Sequence, residues 1–165
     1  MHSLLFVCLG NICRSPAAEA VLRHVLVQSG YSSLPKIDSA GTSSFHEGDL
    51  ADHRMRAAAA ARRIEITSRS RPVVDADFYN FDFLIAMDKS NYEALCSLSP
   101  EPSGIARIIP FARFLPEDYA DREQGVPDPY YGGSKGFETV LDLLEFGCRR
   151  LALELLNESN TSLKL

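Results

Sequence analysis

The stretch Leu4-Leu5-Phe6-Val7-Cys8-Leu9-Gly10-Asn11-Ile12-Cys13-Arg14-Ser15-Pro16 decides the fold. Its apolar start, Leu4 to Val7, reads as a short strand buried on both faces, and Pro16 suits the first position of a following helix. The residues between them therefore bridge a strand's carboxyl end and a helix's amino end. Unpaired amide N–H groups in such a turn, together with the helix dipole, favour an anion, whether a thiolate or a bound phosphate. Gly10 and Asn11 are the residue types that most readily take the left-handed backbone a tight cradle needs. Five residues separate Cys8 from Arg14, whose planar guanidinium matches two phosphate oxygens. The pattern is a phosphate site built around a nucleophile.

A phosphate monoester carries nearly two negative charges, so its nucleophile must work among donors that neutralise both partners. A cysteine at a helix amino terminus beside an arginine can ionise near neutral pH without a histidine base. Cys8 is the candidate nucleophile, and Ser15 is placed to donate a hydrogen bond to its sulfur. Further along, Pro127-Asp128-Pro129 taken alone is a stiff turn of a common kind. Paired with the first motif, Asp128 becomes the candidate acid, because an aryl phosphate needs a proton on its departing oxygen.

The chain resembles the low-molecular-weight protein tyrosine phosphatases, whose signature of Cys, five residues, Arg and Ser or Thr lies at the amino terminus, as Cys8 to Ser15 do here. Asp128-Pro129-Tyr130-Tyr131 matches that family's late Asp-Pro-Tyr-Tyr loop. The resemblance implies a phosphotyrosine phosphatase acting through a phosphocysteine, with Cys8, Arg14, Ser15 and Asp128 catalytic and Leu9, Gly10, Asn11, Ile12 and Cys13 lining the phosphate loop. It further implies that Ser39 helps hold Asn11, that Phe45 forms one wall of the substrate cleft with Tyr130 or Tyr131 on the other, and that Cys13 can capture an oxidised Cys8. The match is nearly continuous over residues 3 to 48 and 128 to 150, with a family-like island at Met87-Asp88-Lys89-Ser90-Asn91. It weakens between them. Many relatives carry a histidine where Thr67-Ser68-Arg69-Ser70-Arg71 stands, which makes Ser68 a candidate substitute, and Pro100 to Gly104 is insertion-like. The arginines from Arg54 to Arg71 read as a solvated helix face.

Composition suits one such domain. The 165 residues are 45% hydrophobic and 24% charged, enough for a full core without metal or disulfide support. The apolar start is too short for a signal peptide or a membrane span, and four unframed cysteines suit a reducing compartment, so a cytoplasmic monomer is expected. A net charge of −5 gives no reason to invoke nucleic acid or membrane partners. His2, His24, His46 and His53 show no ligand spacing, so neither metal nor cofactor is assigned.

Periodicity predicts strands at 4–7, 36–40, 81–87 and 105–109, and helices at 17–28, 52–63, 88 onward and 137–158, with a Pro- and Gly-rich loop at 116–136. Such alternation implies an α/β fold: a single domain spanning 1–158, a doubly wound, flavodoxin-like sheet of four parallel strands with helices on both faces, and a frayed tail at 159–165. Ligands bind such sheets outside the strands' carboxyl ends, where strand order reverses.

Three other functions fit parts of the pattern. A protein arginine phosphatase typically has threonine where Ile12 stands and lacks the paired tyrosines. An arsenate reductase coupled to thioredoxin needs further cysteines after the third strand, where this chain has Ala86-Met87-Asp88. A phosphate-binding module without catalysis would lack the nucleophile or the acid, and both are present.

Overall fold

The computed structural model describes residues 1–100 and 106–156, and side chains as far as Glu154. Four strands, β1 (Leu4–Cys8), β2 (Ile37–Gly41), β3 (Phe83–Ala86) and β4 (Arg107–Pro110), form one wholly parallel sheet in the order β2-β1-β3-β4. Strand order reverses at β1, so its carboxyl end opens onto the crevice where such sheets bind ligands. Cys8 is the last residue of that strand.

Alternation along the strands divides the core. Leu4, Phe6 and Cys8, with Phe83, Ile85 and Met87, face a layer made by α1 (Arg14–Gln28), α2 (His53–Ala61) and α5 (Ser134–Leu151). Leu5, Val7, Leu84 and Ala86 face α3 (Asp77–Asn80) and α4 (Lys89–Leu98) through Phe78 and Leu95. Helices thus cover both faces, as expected of strands that are apolar throughout. In α5 the buried positions Phe137, Val140, Leu141, Leu144, Cys148 and Leu151 recur at helical spacing. Gly147 belongs to that stripe because a Cβ there would lie 2.5 Å from the buried Phe111 ring.

Several boundaries differ from the sequence reading. α1 begins at Arg14, three residues early, which makes Pro16 its third residue. The missing N–H costs nothing there because the first turn's amides have no intrahelical acceptor. β3 is shorter than expected: the ladder with β1 starts at Phe83, opposite Leu4, and ends at Ala86. α5 begins at Ser134 and passes at Ala152 into a π-helical turn. The loop at 116–136 contains a 3₁₀ turn, Arg122–Gln124, and another, Phe111–Phe114, precedes it. Ile105, most of the insertion-like segment Pro100 to Gly104, the end of the expected last helix and the tail lie outside the described residues.

Candidate active site

The turn from Cys8 to Ser15 is held from outside by its carbonyl groups. Thr42 and Ser43 donate their amides to the carbonyls of Cys8 (2.9 Å) and Leu9 (3.0 Å), and Asp52 donates its amide to Ile12 (2.7 Å). The Ser70 hydroxyl bonds the Gly10 carbonyl at 3.0 Å. Asn11 takes the left-handed conformation, φ 54°. Gly10 does not; its lack of a side chain instead admits the His46 ring, which a Cβ would approach to 3.2 Å. Gly41 is needed for a closer approach still, since a Cβ there would sit 2.7 Å from the Leu9 carbonyl oxygen.

A buried polar chain leads to the sulfur. The Arg71 amide donates to Asn11 Oδ1 at 2.9 Å, which turns Asn11 Nδ2 toward Ser15 Oγ, 2.8 Å away. Ser15 Oγ thereby accepts one hydrogen bond and keeps its own proton, with Cys8 Sγ at 3.0 Å and the Ala40 carbonyl at 3.3 Å. Once Cys8 is a thiolate its sulfur can only accept, and Ser15 is then its donor. Cys8, Asn11, Arg14 and Ser15 are all at most 3% exposed, so bulk water does not compete for these bonds.

The expectation for Ser39 fails. Its hydroxyl donates to Glu19 at 2.8 Å rather than supporting Asn11, whose partners are Ser15 and the Arg71 amide. Ser68 does not support the loop either; Ser70, two residues later, is buried and does. The arginines between 54 and 71 are also not a free solvated face. Arg71 forks onto Asp38 and Asp77, and Arg62 bonds Glu138, Asp142 and Glu145 on α5.

Arg14 reaches across the sheet's carboxyl edge. Its Nη1 donates to Asp88 Oδ2 at 2.5 Å and to the Val126 carbonyl at 3.1 Å, and its Nη2 lies 3.3 Å from Asp128 Oδ2. Burial works against the guanidinium's charge, yet Cys8, Asp88 and Asp128 outweigh it and its pKa rises above the ordinary arginine value. Asp88, within the family-like island, caps α4. Its Oδ1 accepts the Asn91 amide at 2.7 Å, and its second oxygen is what orients Arg14. Burial, with Asp52 and Cys8 next in size, pushes the Cys13 thiol up to about 12. Among the described residues no group of three or more His, Cys, Asp or Glu side chains is arranged to hold a metal.

These groups meet at a cavity of about 370 Å³ lined by Cys8, Leu9, Gly10, Ile12, Cys13 and Arg14; Asn11, expected in the loop, does not line it and instead bonds Ser15 behind the loop. Phe45, Tyr130 and Tyr131 form its walls, joined by Ser43 and His46, which the sequence reading missed. His46 packs edge-on to Phe45 at 4.9 Å between ring centroids and pairs with Asp49 at 3.2 Å. Asp128 stands at the rim, 40% exposed, with its Oδ1 accepting the Tyr130 amide at 3.1 Å. Cys8, Arg14, Asp128 and the three aromatic side chains thus share one cleft.

Comparison with known proteins agrees with this geometry. Residues 3–161 match the family model described as low molecular weight phosphotyrosine protein phosphatase. A low molecular weight protein-tyrosine-phosphatase of Synechocystis is 44% identical over 152 residues, 92% of this chain and 95% of that protein. The crystal structure of a protein tyrosine phosphatase from Entamoeba histolytica superposes with a TM-score of 0.87 at 46% identity, covering 96% of this chain and 99% of that one. A Drosophila arginine phosphatase superposes with a TM-score of 0.81 at 31% identity, covering 93% of this chain and 96% of that one.

Proposed function

Since the chain belongs to the low molecular weight phosphotyrosine protein phosphatase family, whose members hydrolyse phosphotyrosine, we propose that Cys8, Arg14, Ser15 and Asp128 carry that chemistry here. The observation that bears most weight is the single cleft holding Cys8 Sγ 3.0 Å from Ser15 Oγ and Arg14 3.3 Å from Asp128.

With the carbonyls of Cys8, Leu9, Gly10 and Ile12 engaged from outside, the amides from Leu9 to Cys13 are left to receive the phosphoryl oxygens. Arg14 supplies the bidentate contact, its orientation fixed by Asp88. The Cys8 thiolate attacks phosphorus, the bond from phosphorus to the tyrosine oxygen breaks, and the Asp128 carboxyl gives its proton to that oxygen. Water then attacks the phosphocysteine, the S–P bond breaks, and the Asp128 carboxylate takes the water's proton. Ser15 donates to the sulfur as it attacks and again as it leaves. Phe45, Tyr130 and Tyr131 grip a phenyl ring and make the cleft deep, which disfavours the short phosphoserine.

The same reading takes the protein as a cytoplasmic monomer acting on phosphotyrosine-containing proteins, without nucleic acid or membrane as partner. Among the described residues no helix is long and apolar enough to cross a membrane. Cys8 and Cys13 are both free thiols within the loop, and we assign Cys13 the capture of an oxidised Cys8.

The discriminating experiment is phosphate release from phosphotyrosine, phosphoserine and phosphoarginine versions of one peptide. Hydrolysis of the phosphotyrosine peptide at least about a hundredfold faster than the others is expected, the scale on which a site built for one group rejects another. Preference for phosphoarginine would move the protein to the activity of its Drosophila structural neighbour.

A further inference from the structure

Arg54, at the start of α2, sits between two parts of the molecule that must keep register during catalysis. Its Nε and Nη2 fork onto the Asp52 carboxylate at 3.0 and 2.9 Å, and the same Nη2 donates to the Tyr130 carbonyl at 3.1 Å. Its guanidinium also lies over the Tyr130 ring, 5.4 Å from the centroid, and over that of buried Phe137 at 4.8 Å. Asp52 is itself fixed: its Oδ1 accepts the Arg54 amide at 2.8 Å, and its own amide donates to the Ile12 carbonyl at 2.7 Å. A continuous strap therefore runs from the phosphate loop at Ile12 through Asp52 and Arg54 to Tyr130, two residues beyond Asp128.

The strap spans the part of the acid loop that its other anchor does not. Upstream, the loop is tied to the end of β3, where the Val126 amide donates to the Met87 carbonyl at 2.8 Å and Arg14 holds the Val126 carbonyl. Downstream, Asp128 Oδ1 bonds the Tyr130 amide, so wherever Tyr130 is placed the carboxylate is placed too. A general acid works only within hydrogen-bond reach of the departing oxygen, and displacement by about 1 Å can cost about a hundredfold in rate.

We propose that Arg54 is a positioning residue for the general acid, setting the distance between Asp128 and the phosphate loop through the Tyr130 carbonyl. The proposal rests on the reading of Asp128 as that acid. It predicts a dependence on leaving group, because an arginine that merely stabilised the fold, or drew in anionic substrate by charge, would slow all esters alike.

The test is kcat/KM for aryl phosphates graded from phenyl phosphate to 4-nitrophenyl phosphate, in wild type, Arg54→Met, Asp128→Asn and the double variant. Asp128→Asn is expected to lose about a hundredfold or more on phenyl phosphate and far less on the nitrophenyl ester. Arg54→Met is expected to lose about tenfold on phenyl phosphate and less than about twofold on the nitrophenyl ester, and to add no further steepening in the double variant. Arg54→Lys should behave like Arg54→Met, since an ammonium cannot fork between Asp52 and Tyr130. Equal slowing of all esters by Arg54→Met, with Asp128→Asn steepening the series, would overturn the strap alone. Equal slowing by Asp128→Asn would refute the acid, and the strap with it. Should Arg54→Met fail to fold, Asp52→Asn keeps the cap and the amide to Ile12 while loosening the fork, and an unchanged slope in that variant would equally overturn the proposal.

Discussion

Removing the Ser15 hydroxyl isolates the contact on which the nucleophile depends. In Ser15→Ala, Cys8 Sγ loses a donor at 3.0 Å and Asn11 Nδ2 loses an acceptor at 2.8 Å, at a position with 0% exposure. Water has no access to replace either bond. A hydrogen bond to a charged group contributes about 1.5–3 kcal/mol, so an anionic sulfur deprived of it should react about ten- to 150-fold more slowly. The orphaned Asn11 amide adds a separate stability cost of about 1–3 kcal/mol, visible as a lowered Tm. Two assays read the sulfur directly: kcat on a phosphotyrosine peptide, and the rate at which iodoacetate alkylates Cys8 at neutral pH. Both should fall together while KM changes little, because Arg14 and the loop amides still bind phosphate. Alkylation and turnover within about twofold of wild type would show that Ser15 only packs beneath the loop, and the role given to its proton would be wrong.

Ser70→Ala is expected to lower stability by about 0.5–1.5 kcal/mol and to weaken catalysis through the freed Gly10 carbonyl, whereas Ser68→Ala should change neither by more than experimental error; denaturant titration with kcat/KM separates them. The Arg54 hydrogen bond, against a smaller opposing effect of burial, holds the Asp52 carboxyl below its usual range. Because the folded pKa is the depressed one, this stabilisation is fully present above the unfolded value near ~4 and is lost as pH falls through the folded value. Asp52→Asn should therefore be less stable than wild type at neutral pH, with the gap closing below about pH 4 in parallel melts; a gap that persisted in acid would refute the linkage. Peroxide should inactivate the wild type reversibly, with thiol reductant restoring activity, while Cys13→Ser starts nearly as active but recovers poorly; equal recovery would remove Cys13 from the protective role.

The parts of the molecule legible in sequence were those whose physics is local. β1, the loop and α1 are contiguous, so an apolar run, a left-handed Asn11 and an Arg at fixed spacing announce a cradle before any tertiary contact forms. Asp88 could be read as a cap for the same reason, its acceptor bond spanning three residues. Its bond to Arg14 spans 74, and Ser70 to Gly10 spans 60. No periodicity records such pairs. Ser68 is misread because Ser70, two positions on, looks the same in sequence; Ser39 is misread because its partner Glu19 comes from α1, a pairing that no local pattern records. Arg54 and Arg71 read as surface charge because arginine clusters usually are; what recruits them is a buried carboxylate, Asp52 at the cap of Arg54's own helix and Asp77 of α3 for Arg71.

The central claim is that phosphate passes through Cys8. Turnover of a phosphotyrosine peptide, quenched within a few milliseconds in acid and digested for mass spectrometry, should show one phosphoryl group on the peptide containing Cys8, with none in Cys8→Ser, although that variant still binds the substrate. A phosphoryl group on any other residue, or steady turnover in Cys8→Ser, would contradict it.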